Sequence, residues 1–247
     1  WLLVLAGVTF ALAFALWSFG SAQGLPWRSR PLKLWMLDVG QGDAFLIEFP
    51  TGEQLLVDGG PDDSVLSTLG GVLPPWDRTL DAILLTHPDA DHVTGLISVL
   101  DRYRVGTVYE SGVGARTPPA SAFVQALAQY GARRRLVSLG DKITFGNATL
   151  TVLWPDEILD GQYPETRNNF SVNVLLEYGG TTVLLTGDAQ EDAERVVGPR
   201  AGDIDVLKVG HHGSLTSTSY DFLVQTKPDI ALISMGRDNP YGHPHPV

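Results

Sequence analysis

The sequence predicts an α/β fold in which two packed sheets are covered by helices. One transmembrane helix is predicted before this domain. Strands and helices alternate in two successive sets over residues 32–247, an order typical of packed sheets with helices outside them. Residues 1–20 carry no charged side chain. All six histidines fall into three clusters that each follow a predicted strand, which indicates a site at the strand ends.

The uncharged stretch over residues 1–20 is long enough to cross a bilayer as a helix. Trp1 and Trp17 lie near its ends, where interfacial aromatic residues are common. The competing interpretations are a buried core helix and a signal peptide, although a signal peptide should open with a basic region and contain a shorter apolar core. Because the chain opens on Trp1 without a methionine, we expect this helix to end a truncated membrane domain.

Residues 21–31 contain glycine and proline and are predicted to link this helix to a domain over residues 32–247. Arg28, Arg30 and Lys33 follow the helix closely, and the positive-inside rule would place that domain in the cytoplasm. The chain stops abruptly after its last histidines, so we expect the C-terminus of the domain to be truncated as well.

The formal net charge of -11 argues against a uniformly basic nucleic-acid surface. A local basic surface is still possible, because metal ions would neutralise some of the carboxylates. Residues 133–135 are three arginines, and Arg102 and Arg104 could extend the basic surface that they form. The alternative for those three arginines is a solvated helix end and turn. The chain has no cysteine, which excludes disulfides and thiolate chemistry and leaves the compartment open.

Short apolar runs punctuated by glycine predict the first three strands, at residues 32–39, 44–49 and 54–57. The first two should form a hairpin around residues 40–43, because glycine there permits a tight turn. Asp38, Asp43 and Asp58 stand at these turns, and we interpret them as turn formers rather than as ligands.

The rest of the chain alternates between helical and extended patterns. Helices are predicted at residues 64–73, 93–100, 120–130, 189–197 and 220–225. Further strands are predicted at residues 80–85, 105–109, 148–154, 172–177, 181–185, 204–209 and 230–235. The long polar interval over residues 156–169 is typical of a functional or a disordered loop.

The segment HPDADH at residues 87–92 directly follows a predicted buried strand and indicates a metal site. His87 and Asp89 are two residues apart and can converge on one ion, whereas Asp91 and His92 are adjacent and would face another. Two ions are therefore expected. The alternative is a surface turn rich in aspartate and histidine.

Matching groups follow later strands. Asp188 could bridge two ions through its two carboxylate oxygens, or it could cap the next helix. The pair His211 and His212 is difficult to explain as packing. Asn169 and Ser171 could hold a phosphate or a metal-bound water, or they could serve as strand caps.

These segments carry a family resemblance. Residues 87–92 resemble the metal motif of the metallo-β-lactamase fold superfamily, and residues 58–60, 186–188 and 210–213 resemble its other strand-end motifs in the right order. Residues 37–44, 208–214 and 241–246 are similar to the C-terminal domain of the ComEC family, the bacterial DNA-uptake channels of competence. The helix over residues 1–20 would match the last helix of that family's membrane domain.

The resemblance implies a four-layer αββα domain that binds two divalent metal ions, Mn²⁺ or Zn²⁺. It implies hydrolysis of phosphodiester bonds, with degradation of the DNA strand that is not imported. Its partners would be single-stranded DNA, the membrane and other components of the competence channel. It also implies an extracytoplasmic domain at the cell (inner) membrane, and we follow the family here against the charge signal.

The resemblance also implies roles for individual residues. The proposed metal ligands are His87, Asp89 and Asp188 for one ion, and Asp91, His92, Asp188 and His212 for the other. His212 is chosen over His211 because the ligand histidine of the superfamily usually precedes glycine. The proposed catalytic residues are Asp188 between the ions, His211 on the phosphate or as a proton donor, and His243 or His245 as a proton donor. The proposed substrate-binding residues are Asn169, Ser171, Lys208 and Ser214.

Two departures from the superfamily pattern matter. Asp89 stands where most members have histidine, and residues 168–171 stand where another histidine is usual. The first ion site is thus rich in oxygen ligands, which favours harder ions such as Mn²⁺ beside Zn²⁺. Two other functions stay open: hydrolysis of small or wall-linked phosphodiesters such as phosphocholine esters, and a noncatalytic DNA-guiding module.

Overall fold

The computed structural model describes residues 30–246. One compact unit begins at Leu32. The predicted transmembrane helix over residues 1–20, and all but the last two residues of the predicted linker, lie outside the described part of the chain. Within residues 30–246, none of the helices combines the length and the apolar character that a membrane span requires.

The first sheet has six strands in the order β1-β2-β3-β4-β5-β6. Their bounds are Lys33–Met36, Phe45–Glu48, Gln54–Val57, Thr79–Leu84, Arg104–Glu110 and Arg133–Leu136. The antiparallel pairing of β1 with β2 confirms the predicted hairpin, and β3 to β6 run parallel. The three arginines over residues 133–135 lie on the edge strand β6, not at a helix end, and a charged edge strand resists pairing with other chains.

The second sheet also has six strands, in the order β12-β11-β10-β9-β8-β7. Their bounds, from β7 to β12, are Lys142–Phe145, Ala148–Trp154, Asn173–Tyr178, Thr181–Leu185, Val206–Lys208 and Ile230–Leu232. The pairs β10–β11 and β11–β12 are parallel, and the other pairs are antiparallel. The strand β7, which forms a hairpin with β8, was not predicted.

Five α-helices connect the strands: α1 Ser64–Val72, α2 Ala90–Arg102, α3 Pro118–Tyr130, α4 Glu191–Ala201 and α5 Tyr220–Thr226. Two of their starts bear on the site. Helix α2 begins three residues earlier than predicted, so Asp91 and His92 lie in its first turn. Helix α4 begins at Glu191 with Gln190 as its N-cap, so Asp188 is not the cap of this helix.

Adjacent residues of the central strands face opposite layers, as the pleat of a strand requires. Leu56 packs in the apolar core with helices α1 to α3, whereas its neighbour Leu55 packs in the core between the sheets. Leu185 also lies between the sheets, and Leu184 packs outside against α4 and α5. The predicted α/β fold of two sheets with outer helices is confirmed, and the site lies at the carboxyl ends of the strands.

Candidate metal centre

The loops that leave four strands converge on one cluster. Asp58 follows β3, and the HPDADH segment follows β4. Asp188 follows β10, and the pair His211 and His212 follows β11. The partner strands β3 and β4 are parallel, as are β10 and β11, so each pair brings its carboxyl ends to the same edge of its sheet.

Four side chains form the tight centre of this cluster. The ligand atoms of Asp91, His92, Asp188 and His212 all lie within 4.8 Å of one another. Asp188 Oδ2 is 3.2 Å from His92 Nε2 and 3.5 Å from His212 Nε2, and Asp91 Oδ2 is 3.3 Å from His212 Nε2. The structure thus brings together the four residues that the resemblance implied for one ion.

The three residues implied for the other ion are arranged more loosely. His87 Nε2 is 3.8 Å from Asp89 Oδ2 and 3.9 Å from Asp188 Oδ2. The second oxygen of Asp89 accepts a hydrogen bond from Arg167 Nε at 2.6 Å. Asp89 therefore shares its charge with a guanidinium group that lies 78 residues away in the sequence, too far for spacing to predict the contact.

Hydrogen bonds to Nδ1 fix the orientation of the three buried imidazoles. His92 Nδ1 lies 2.9 Å from Asp58 Oδ2, and His212 Nδ1 lies 2.9 Å from the Ser234 carbonyl oxygen. Both partners are acceptors, so each Nδ1 carries a hydrogen. The Thr86 hydroxyl donates its hydrogen to Asp58 and can only accept from His87 Nδ1, at 3.1 Å. When one of these three rings is neutral, it therefore carries its hydrogen on Nδ1 and its lone pair on Nε2.

These Nε2 atoms are buried and lack a hydrogen-bond partner within the protein, as does Asp188 Oδ1. A buried polar atom without a partner costs about 1–3 kcal/mol. A divalent cation bound by Nε2 atoms and carboxylate oxygens would satisfy these groups, and imidazole with carboxylate is a usual donor set for such ions. The described residues therefore fit a metal ion, with Asp58 as the outer partner that orients a ligand histidine.

The charges of the cluster shift its pKa values strongly. Burial disfavours the imidazolium of His212, but the negative charge of nearby carboxylates, Asp188 first, outweighs burial and raises its pKa to about 11. In the same way, Asp188 and Asp58 overcome burial and raise the pKa of His92 well above its usual value. Burial opposes ionisation of Asp188, yet His92 and His212 hold its pKa well below the usual range. The site thus stabilises positive charge next to Asp188.

Lys208 differs from its predicted role in substrate binding. Its side chain is 1% exposed, and its ammonium group contacts Asp43 and donates a 2.7 Å hydrogen bond to the Gly187 carbonyl oxygen. Because the amine is buried beneath the cluster and directed at these partners, it is not placed to reach a substrate. Lys208 instead neutralises buried carboxylates and holds the Asp188 loop.

Ser171 is likewise buried, which argues against its predicted contact with substrate. Its hydroxyl accepts from the Asp188 amide at 3.1 Å and lies 3.2 Å from His87 Nδ1, so it positions two candidate ligands. Asn169 Oδ1 accepts from the Gln190 amide at 3.2 Å. The Ser214 hydroxyl lies 3.1 Å from the Thr216 hydroxyl in a partly exposed loop, so Ser214 stays accessible to a substrate.

The remaining histidines line the open side of the cluster. His211 Nε2 is 3.9 Å from Asp188 Oδ2 and 3.2 Å from Asn168 Nδ2, and its side chain is one quarter exposed. The His243 ring lies 5.8 Å from His211 and 6.5 Å from His212 between centroids. The His245 ring lies 5.3 Å from His243. His211 and His212 both have positive φ, a strained turn that permits two adjacent imidazoles to face one cluster.

Two aspartates do more than form turns. Asp58 and Asp43 were interpreted as turn formers, but both are buried. Asp58 orients His92, and Asp43 contacts Lys208 and lies 3.4 Å from His212 Nδ1. The signal that could have identified Asp58 is its place at the end of a buried strand, where a buried carboxylate needs donors nearby.

Comparison with known proteins places the chain in a family. Residues 37–237 match the family model described as the Metallo-beta-lactamase superfamily. The chain is 32% identical to ComE operon protein 3 of Bacillus subtilis over 99% of this chain and 33% of that protein. It is 34% identical to Recombination protein 2 of Haemophilus influenzae over 85% of this chain and 25% of that protein. Competence protein ComA of Neisseria gonorrhoeae is 29% identical over 90% of this chain and 29% of that protein.

The chain thus spans about a quarter to a third of the length of these relatives. Two solved structures share the fold. The metallo-beta-lactamase fold protein YhfI from Bacillus subtilis has a TM-score of 0.51 at 20% identity, covering 72% of this chain and 70% of its own. CmlA, a diiron beta-hydroxylase from Streptomyces venezuelae, has a TM-score of 0.54 at 18% identity, covering 87% of this chain and 49% of its own.

The relatives named for competence confirm the resemblance to the ComEC family that the strand-end motifs indicated. The family model matches residues 37–237, which is most of the chain. The chain belongs to the metallo-beta-lactamase superfamily.

Proposed function

We propose that this domain is a dinuclear metal-dependent phosphodiesterase, a nuclease that degrades the DNA strand that is not imported during DNA uptake. The observation that carries the proposal is the convergence of Asp91, His92, Asp188 and His212, whose ligand atoms lie within 4.8 Å of one another. The similarity to proteins named for competence and recombination supports DNA as the substrate.

Charge explains why such a site suits a phosphodiester. When bound, two divalent ions supply positive charge and Lewis acidity, which an anionic phosphodiester needs before a nucleophile can approach it. Asp188 lies between the two ligand sets, 3.2 Å from His92 and 3.9 Å from His87, and would fix their separation. Asp58 would hold His92 in the orientation that directs Nε2 into the site.

Proton transfer is assigned to the histidines on the open side. Burial, opposed by Asp188 and helped by the charge on His212, lowers the pKa of His211. Burial, together with the charge on His212, also lowers the pKa of His243. Both rings are therefore mainly neutral near pH 7, where each has one N–H donor and one acceptor nitrogen. We assign to the neutral rings hydrogen bonds to phosphate oxygens. A ring that first takes up the proton of the attacking water can then deliver a proton to the departing oxygen, with His245 as the alternative donor.

The proposal extends to the setting of the domain. We propose single-stranded DNA as its substrate, and the membrane and other components of the competence channel as its partners. The domain would lie on the extracytoplasmic side of the cell (inner) membrane. The relatives are three to four times longer than the stretch they share with this chain, which supports a larger assembly around the domain.

The test is DNA degradation by the purified protein with Mn²⁺. Replacing Asp91 or His92 with alanine should abolish degradation, because each change removes a ligand from the four-residue set. The matched control is Asp101→Ala, which removes an exposed aspartate from the same helix and should leave the rate unchanged. Undiminished cleavage by the Asp91 and His92 variants would refute the proposal. Preference for a small chromogenic diester over an oligonucleotide would assign the site to small phosphodiesters instead.

A further inference from the structure

A groove is lined in part by the segment that carries the candidate metal ligands. Its volume is about 740 Å³, and its walls come from helix α3, the loop after β5 and part of the long loop before residue 167. Pro88, which stands between the candidate ligands His87 and Asp89, lines the groove. The groove and the candidate metal centre therefore share the HPDADH segment.

Contacts between the two loops build this groove. The Gly114 amide donates to the Gln162 carbonyl oxygen at 2.8 Å, and the Leu159 amide donates to the Ser111 carbonyl oxygen at 2.8 Å. A Cβ at Gly114 would lie 2.6 Å from the Tyr163 ring, so the ring packs directly on this backbone. The position of Tyr163 is thus fixed by backbone contacts on the opposite loop.

The surface of the groove is aromatic and apolar. Tyr163 is 53% exposed although it lines the groove, and Val124 on helix α3 is 61% exposed. The Arg116 guanidinium lies 5.0 Å from the centre of the Tyr163 ring, a cation–π contact that restricts the ring further. Proteins that bind single strands stack nucleobases on exposed aromatic rings, and arginine adds cation–π contributions.

The charges of the groove favour an uncharged occupant. Its three charged lining residues pair with one another, because Arg134 contacts Glu110 and lies 2.9 Å from Asp160. A phosphate group would meet two carboxylates there without a free cation in the lining. A neutral, flat group would meet the Tyr163 ring and the apolar wall of α3.

We propose that this groove binds one nucleobase of a single DNA strand, stacked on Tyr163, while an adjacent phosphate lies at the metal centre. The inference rests on the proposed function, because it takes that phosphate to be the one that is cleaved. Stacking recognises any base by its π-face, so the groove would position the strand without reading its sequence.

The test compares two strands and four proteins in Mn²⁺. The strands carry phosphorothioate linkages to slow hydrolysis, and they are identical except that one lacks a single internal base. The proteins are the unaltered chain, Tyr163→Ala, Tyr163→Phe and the control Trp76→Ala, which removes an exposed aromatic residue before the amino end of β4. Dissociation constants are measured by fluorescence anisotropy.

The unaltered chain should bind the abasic strand about fivefold to a hundredfold more weakly than the complete strand, since one stacked base is lost. Tyr163→Ala should bind both strands equally weakly, whereas Tyr163→Phe and Trp76→Ala should behave like the unaltered chain. An abasic penalty that persists in Tyr163→Ala, or complete-strand binding that this change leaves unaltered, would overturn the inference.

The two proposals fail separately in this design. If the protein cleaves an ordinary strand in a metal-dependent way and changes at Tyr163 have no effect, the nuclease proposal stands and the proposal of a base-binding groove is refuted. If Tyr163 binds a base but the protein does not cleave the strand, the base-groove proposal stands and the domain is better explained as a noncatalytic DNA-guiding module.

Discussion

At the scale of single residues, the candidate metal centre depends on side chains that orient the candidate ligands as much as on those ligands themselves. Asp58 is the main example, because its two oxygens accept hydrogen bonds from the Thr86 amide, the Thr86 hydroxyl and His92 Nδ1, at 2.7–2.9 Å. These bonds connect β3 to the HPDADH segment and fix the ring of His92. A ligand histidine held in this way loses little freedom when it binds an ion.

Replacing Asp58 with asparagine tests this role. The amide keeps the size of the carboxylate but places an N–H₂ group where an acceptor is needed, so at least one of the three hydrogen bonds must be lost. We expect the affinity for Mn²⁺ to fall by about 10- to 100-fold, as for other outer partners of metal ligands. Isothermal titration calorimetry measures this affinity. The control Asp38→Asn changes an exposed turn residue, and equal affinities for the two variants would contradict the assigned role.

The raised histidine pKa values predict how protons compete with the metal. The pKa of His212 rises from 6.5 to about 11, so the metal-free protein holds this proton near pH 7. The proton stabilises the metal-free fold fully below pH 6.5, and this contribution is lost as the pH rises through about 11. An ion at Nε2 must displace the proton, so metal affinity should increase with pH over the same range.

Calorimetry at pH 7 in two buffers with different ionisation enthalpies counts the protons that metal binding releases. We expect about one proton or more per chain, because His92 also has a raised pKa. A binding enthalpy that is the same in both buffers would show that the cluster is already deprotonated, against the charge balance described above.

At the scale of elements, helix α2 sets the geometry of the site because it packs directly on the loop that carries Asp58. The Gly95 amide donates to the Gly60 carbonyl oxygen at 3.1 Å, and a Cβ at Gly95 would lie only 1.9 Å from the Gly59 carbonyl oxygen. A residue without a side chain is needed at this crossing. The close approach brings His92, one turn earlier on the helix, within reach of Asp58.

We therefore expect Gly95→Ala to destabilise the protein by about 1–3 kcal/mol, the usual cost of an overpacked contact, and to weaken metal binding. Urea unfolding measures the first effect. The matched control is Gly70→Ala in helix α1, where a Cβ would meet nothing within 4 Å. This change should stabilise the protein by up to about 1 kcal/mol, because alanine is the better helix former. A loss of stability at Gly70 as large as that at Gly95 would contradict the packing explanation.

The elements also show what the sequence could and could not predict. Long periodic segments such as α3 and β8 were predicted to within two residues at each end, because they expose a clear pattern. The strand β6 was not identified, since Arg133 and its two neighbours offer no apolar alternation and only pairing with β5 makes them extended. The candidate ligands lie in compact motifs, whereas Asp58 and His92 are 34 residues apart and Arg167 and Asp89 are 78 apart. Such pairs depend on tertiary structure, and spacing alone does not predict them.

At the scale of the whole molecule, the candidate metal centre contains residues from both sheets. Asp58, His87 and His92 follow strands of the first sheet, and Asp188 and His212 follow strands of the second. The core between the sheets aligns these strand ends, so the ligands converge only in the complete sandwich. A bound ion would therefore stabilise the folded domain as a unit, by an amount that grows with the free metal concentration.

Metal content tests this central claim most directly. Equilibrium dialysis against saturating Mn²⁺, followed by elemental analysis, measures the ions bound per chain. We expect about two ions for the unaltered protein and for the control Asp101→Ala, and fewer for His212→Ala, which removes a candidate ligand that the second sheet supplies. Metal content near zero in the unaltered protein would contradict the account, because the converging imidazoles and carboxylates would then have no cation to bind.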